Sequence, residues 1–325
     1  MMKFSTLWAF DRTVDANGFS PVAAQIAQRW QHDSGSVRFF RSSANVIYIL
    51  TVDGERAFLR CAAATERSRE IIENELAIIE HARNAGNSVV RPILSTSGST
   101  VESVETDIGL FHAVLFHGIP GELKEPTSIS LDEAITWGAT VGNLHAGLSS
   151  VPPGVVTKPP AWTFAIESSR QGDEAVRAEG ARVEAVLRSV PRDASTYGLL
   201  HNDLELDNMV WQDGVPTVLD FDEYSEGWYL TDIAKALDEL LDDGGSIDNP
   251  RVQAFLAGYR SKRELDDQHL ALLPEFSALT GLYGWASLNR AIDMKPDEVD
   301  QDWMISMIGR ISDYQRAYET QLIQR

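Results

Sequence analysis

Cysteine is nearly absent: the 325-residue chain holds one, Cys61, which excludes an intramolecular disulfide and argues against a Cys-based zinc site. A reducing compartment, the cytoplasm, is the expected location. Long apolar runs are missing too. No stretch approaches the roughly 20 uncharged apolar residues that a membrane-spanning helix needs, and Asp11 ends the short patch Leu7-Trp8-Ala9-Phe10 before it could form a signal-peptide core. Positive charge is scarce, with 28 Lys+Arg against 48 Asp+Glu and a formal net charge of −20. Binding a polyanion requires a basic face, so nucleic acid is excluded as a partner, whereas metal-bound, neutral or cationic partners stay open. Internal repeats and low-complexity tails are also lacking. What is present is ordinary globular material, 43% hydrophobic and 23% charged, long enough for two lobes at roughly 100 to 200 residues each.

Along the chain the apolar period changes. Residues 21–30 have helical spacing of Val22, Ile26 and Trp30 behind Ser20 and Pro21. Residues 37–40, 45–52 and 56–61 are short, rich in β-branched and aromatic residues, and broken by Asp53-Gly54, the mark of an antiparallel meander. A helix follows over 66–85, with Ile72, Leu76, Ile79 and Ala82 on one face, and then strands over 89–94 and 110–116. The pattern predicts a five-stranded antiparallel sheet with one inserted helix. His117-Gly118-Ile119-Pro120-Gly121 reads as a hinge. Beyond it, helices are predicted over 131–149, 165–190, 230–241, 251–262 and 270–291, with a loop over 152–160. A β-rich half followed by an α-rich half is an α+β arrangement.

The exception in the second half is the stretch His201 to Asp222, HNDLELDNMVWQDGVPTVLDFD, whose strands 209–211 and 217–219 flank a turn. Residues 193–234 hold no Lys or Arg, yet Asp203, Glu205, Asp207, Asp213, Asp220, Asp222, Glu223, Glu226 and Asp232 all fall there. Carboxylates this crowded call for a cation, and oxygen donors without Cys and with few His favour Mg²⁺ or another hard cation over zinc. Asn208 precedes the first strand and Asp220 follows the second, so a hairpin brings them side by side, able to share an ion. Asp203 lies five residues earlier, on the loop leading in. One carboxylate to orient a hydroxyl and an Asn/Asp pair to hold Mg²⁺ is the equipment of phosphoryl transfer.

His-x-Asp-x-x-x-x-Asn followed by a hairpin and Asp220-Phe221-Asp222 resembles the catalytic loop and metal motif of the protein-kinase-like superfamily. Leu200-His201-Asn202-Asp203-Leu204 looks most like the aminoglycoside phosphotransferase and choline kinase branch, and the order of elements matches over roughly residues 30–295. The resemblance implies an α+β protein-kinase-like bilobal fold, with a five-stranded antiparallel N-lobe carrying one helix (residues 1–116, nucleotide binding) and a mainly helical C-lobe (117–325, catalysis and substrate). It implies ATP and Mg²⁺ as cofactors and a small-molecule hydroxyl as acceptor. Asp203 would be the catalytic base, and Asn208 and Asp220 the metal ligands. Arg60 would be the third-strand cation, where most relatives have Lys, with Glu75 as its partner and Glu73 and Glu70 as competitors. Ser43 and Asn45 lie on the glycine-free nucleotide loop, and Phe116 and His117, with Leu115, would line the adenine pocket. His201 would be packed beneath the metal motif, Asp222 would serve a second ion or backbone N–H groups, and Asp232 would brace the loop or simply open a helix.

Glu205 departs from the family, which commonly has His or Lys there. With Arg60 it opens the alternative of a non-catalytic nucleotide-binding regulator. A protein Ser/Thr kinase ranks lower, because only about ten residues separate Asp220 from the helix at Leu230, too few for an activation loop. Trp162, Tyr224, Trp228, Tyr283 and Trp285, with the acids, would suit a cationic amine. The run 238–248 reads as a solvated helix end and loop. A last helix over 303–323 either packs on the rest or pairs two copies, leaving monomer and homodimer open.

Overall fold

The computed structural model describes residues 1–152, 154–241 and 246–323; residues 242–245 of the run 238–248, and Pro153 in the loop 152–160, lie outside them. Two helices come first, α1 (Phe4–Asp11) and α2 (Pro21–Ala27). The apolar patch at 7–10 is thus a helix, which buries Phe4, Leu7 and Phe10. α2 starts as expected: Ser20 accepts a hydrogen bond from the Ala23 N–H, and Pro21 opens the first turn.

The sheet then runs β1 (Arg38–Ser42), β2 (Val46–Val52) and β3 (Glu55–Ala63). After α3 (Arg69–Asn84) come β4 (Pro92–Ile93), β5 (Glu102–Thr106) and β6 (Gly109–His117). The order is β1-β2-β3-β6-β4, all antiparallel, with β5 also paired to β6. Asp53 and Gly54 join β2 to β3 with φ of 52° and 82°, the left-handed pair that matches strand twist. The sixth strand, β5, went unseen in the sequence because Val104 alone among Glu-Ser-Val-Glu-Thr is buried, so no alternation is visible. Cys61 is a buried residue of β3, and burial drives its thiol pKa far up, which keeps it inert.

The helical half begins with α4 (Leu131–Leu148), opened by a Ser130/Glu133 capping box. α5 (Ala161–Ser169) and α6 (Glu174–Leu187) stand where the periodicity suggested one helix. Asp173 accepts from the Val176 N–H and so starts a new helix. Then follow β7 (Tyr197–Leu200), β8 (Met209–Gln212), β9 (Val215–Val218), β10 (Ser225–Trp228), α7 (Tyr229–Leu241), α8 (Pro250–Arg260), α9 (Asp267–Leu270), α10 (Leu273–Ala291) and α11 (Asp302–Ile323). β8 pairs with β9 as the expected hairpin, and β10 pairs with β7.

The chain divides into two units. One comprises Met1–Leu76, Arg91–Gly118 and Ser287–Arg325; the other comprises Ala77–Val90 and Ile119–Ala286. The core of the first gathers Phe4, Leu7 and Phe10 of α1, Tyr48 and Leu50 of β2, and Met304, Ile308 and Ile311 of α11. The last helix therefore packs within its own chain. Among the described residues no helix is long and apolar enough to cross a membrane.

Candidate active site

The helical unit gathers the acids around the β8–β9 hairpin. The Leu219 N–H donates to the Asn208 carbonyl at 2.9 Å, one step beyond the Met209–Val218 pair, so Asn208 and Asp220 adjoin at the open end. Asn208 Nδ2 donates to Asp203 Oδ2 at 2.7 Å and to the Asp203 carbonyl at 3.0 Å. That leaves the amide oxygen of Asn208, rather than its nitrogen, as the end suited to a cation. Asn202 and Asp220 both adopt left-handed backbone, φ 66° and 50°, strain of the kind held at functional turns.

His201 is fully buried: its Nε2 lies 2.8 Å from the Leu219 carbonyl, and its Nδ1 accepts from the Asp203 N–H at 3.2 Å. That assignment makes it a neutral Nε2–H imidazole tying the loop to the hairpin. Asp232, also fully buried, accepts from the His201 N–H at 3.0 Å and the Asn202 N–H at 2.7 Å. His145 of α4 meets it at 2.9 Å and is itself 3.0 Å from the Tyr259 hydroxyl of α8. Neither His145 nor Tyr259 carries a local signal of this role; only a three-dimensional view joins residues so far apart in sequence. Asp232, Lys235 and Glu239 share one face of α7 by their spacing of three and four. Lys235 Nζ lies 2.5 Å from Glu205, and Glu239 accepts from the Leu206 N–H at 2.9 Å. One helix face thus holds the loop from 201 to 206.

Burial pushes the Asp203 carboxyl up to about 8; Lys235 opposes this, while Glu205, Asp222 and Asp220 add to it. Burial likewise lifts Glu239 to about 7. Among the described residues no three His, Cys, Asp or Glu side chains converge as a ready metal cage. An Asn/Asp pair with hard oxygens instead fits a hard divalent cation that keeps most of its shell as water and phosphate.

In the sheet unit, Arg60 of β3 and Glu75 of α3 form a parallel fork, with both Nη···Oε distances 2.7 Å. The pair is buried, at 6% and 0% side-chain exposure. Arg67 approaches Glu75 at 3.9 Å, and the Arg60 guanidinium lies over the Phe116 ring at 5.1 Å. Glu73 is turned away to Arg69. Glu75→Gln should cost about 2 kcal/mol or more, since it leaves a buried guanidinium without its counter-charge; urea denaturation measures this, and an unshifted midpoint would refute it. At the β1–β2 turn Ser43 is exposed and Asn45 buried, and the Ser43 N–H is already bonded to the Asn45 carbonyl. The His117 N–H is likewise bonded, to the Arg91 carbonyl, while its exposed imidazole is lowered in pKa by partial desolvation and by Arg91.

Three of the five aromatic residues already meet a cation of this chain. Arg192 lies over Trp162 at 4.7 Å, Trp228 at 4.9 Å and Tyr197 at 5.7 Å. Lys158 lies over Tyr224 at 5.5 Å, and the Tyr283 hydroxyl donates to Glu223. For Trp162, Trp228 and Tyr224 that cation comes from Arg192 or Lys158.

The sequence family described as "Phosphotransferase enzyme family" matches residues 36–265. An amicoumacin kinase of Bacillus subtilis (strain 168) is 25% identical over 303 residues, covering 89% of this chain and 90% of that one. A solved amicoumacin kinase in complex with AMP-PNP, Ca²⁺ and Ami superposes with a TM-score of 0.73 at 21% identity, covering 92% of each chain. A microcompartment-associated aminopropanol kinase gives 0.70 at 23%, covering 93% of this chain and 94% of that one. The fold is the protein-kinase-like fold of these phosphotransferases.

Proposed function

The chain belongs to the phosphotransferase enzyme family, and from that membership and the joined Asp203, Asn208 and Asp220 we propose that it transfers the γ-phosphate of ATP to a hydroxyl of a small molecule. Asp203 is the catalytic base: it takes the hydroxyl proton, or holds that hydroxyl aimed at the γ-phosphorus. Asn208, through its amide oxygen, and Asp220, through its carboxylate, hold Mg²⁺. Bound there, the ion offsets charge developing on the phosphate oxygens. Arg60, kept in place by Glu75, would contact phosphate, with Ser43 and Asn45 as the nucleotide loop and Phe116 and His117 contacting adenine. His201 and Asp232 keep the loop in register, so that the carboxylate is positioned before substrate arrives. The observation that carries the reading is the 2.7 Å bond from Asn208 to Asp203 at the end of the hairpin that also carries Asp220.

The acceptor is an amino-alcohol in this reading, supported by the aminopropanol kinase likeness and by the surplus of acids. A cytoplasmic setting accords with ATP as co-substrate and with one buried, inert thiol. The test is ADP release with Mg-ATP across amino-alcohols, sugars, aminoglycosides and plain amines. Turnover confined to hydroxyl-bearing compounds, highest for amino-alcohols, is expected. Mg-ATP binding without turnover on any of them would replace the reading with a non-catalytic nucleotide binder.

A further inference from the structure

Between residues 193 and 234 the chain supplies no Lys or Arg, and the cation that acts on Asp203 comes from the next position, Lys235 of α7. Its Nζ lies 2.5 Å from Glu205 Oε1, and the two side chains are 29% and 30% exposed, so the pair is half-withdrawn from water. Lys235 sits one turn beyond Asp232 on the helix face that holds the catalytic loop, so its direction is set by the same bonds that place His201 and Asn202. Glu205 is two residues from Asp203, so its carboxylate is an additional negative charge on the same loop. Magnesium at Asn208 and Asp220 would answer Asp220 and its neighbours. Glu205 has its own cation in Lys235, and a triphosphate repels every carboxylate left bare.

We propose that Lys235 is a positioning residue for the nucleotide's phosphates: by pairing with Glu205 it cancels the additional carboxylate beside Asp203 and lets Mg-ATP approach. The inference rests on the phosphotransferase reading above. It gives the pair a purpose that surface ion pairs lack, since an exposed pair contributes little to stability. It also makes the acid at position 205 compatible with an active enzyme.

The test measures the affinity of full-length protein for Mg-ATP and for adenosine by calorimetry, with melting temperatures alongside. Lys235→Met is expected to weaken Mg-ATP at least about fivefold, because a partly desolvated Glu205 is left uncompensated. It should leave adenosine, which has no phosphate, unchanged. Lys235→Met combined with Glu205→Gln should return Mg-ATP to within about twofold of wild type, and Lys235→Arg should retain binding. Under turnover, the single variant raises KM for ATP and not for the acceptor. Wild-type affinity in Lys235→Met, equal weakening of adenosine, or a double variant as weak as the single one would each overturn the inference. Wild-type protein that binds no Mg-ATP at all would instead reject the phosphotransferase reading.

Discussion

Asp203→Asn lowers phosphotransfer by about a thousandfold, and Mg-ATP still binds within about threefold of wild type. General-base assistance contributes roughly 10² to 10⁴ in rate, and Asn offers no basic oxygen for the proton. The substitution keeps shape: its amide oxygen can accept from Asn208 as the carboxylate does at 2.7 Å, so Asn208 and Asp220 stay in place. Single-turnover rates and calorimetry on the same sample separate chemistry from binding. An unchanged rate would end the assignment of Asp203. The same variant should melt higher in metal-free buffer at neutral pH. Burial raises the folded-state pKa to about 8, above the ordinary carboxyl value of about 4. Ionisation therefore costs the fold stability, a cost that begins as pH passes the unfolded value and is complete above the folded one. Asn removes that cost.

Gly258→Ala should abolish the fold or cost at least about 3 kcal/mol, as overpacking of a backbone contact does. A Cβ at Gly258 would stand 1.9 Å from the Ile135 carbonyl, and one at Gly138 would stand 1.9 Å from the Phe255 carbonyl. α4 and α8 cross backbone to backbone at these two reciprocal glycines, and carbonyls cannot rotate away as side chains do. The damage should reach the catalytic loop, because α4 carries His145 and α8 carries Tyr259, the pair behind Asp232. Gly284→Ala in α10 is the contrast. Nothing lies within 4 Å of its Cβ, so helix propensity predicts a gain of about 0.5 to 1 kcal/mol. Thermal and urea melts of both decide, and a Gly258→Ala protein that melts like wild type would refute the crossing argument.

The parts legible in the sequence are those whose physics is local. The Asp53-Gly54 turn, the Ser130/Glu133 cap and the hairpin between Asn208 and Asp220 are each written within a dozen residues, and each stands in the structure. The Arg60–Glu75 fork was also within reach, because strand alternation and helical spacing limited the choice to three acids. Features made by long-range contact were not legible. Lys235 falls just outside the acidic stretch, and only the turn of α7 brings it back to Glu205. β7 and β10 are four residues each, and their pairing, Ser225 with Leu200 through Trp228 with Tyr197, joins segments on opposite sides of the hairpin in sequence. Arg192 lies outside the same stretch at its other end, yet it fills the aromatic faces that composition assigned to a ligand. The break between α5 and α6 shows the reverse error: apolar spacing continues across Gly172-Asp173, and the capping bond of Asp173 overrides it.

The core of the sheet unit draws on Phe4 and on Ile311, and this has a consequence for synthesis. A growing chain makes α1, the meander and β6 early, but the apolar faces they share with α11 stay open until some three hundred residues have been added. Domains usually close in the order in which they are made; this unit cannot. The helical unit, Ile119–Ala286 with the short segment before Arg91, is free to close first during translation, and the sheet unit is sealed later, once α11 has been made.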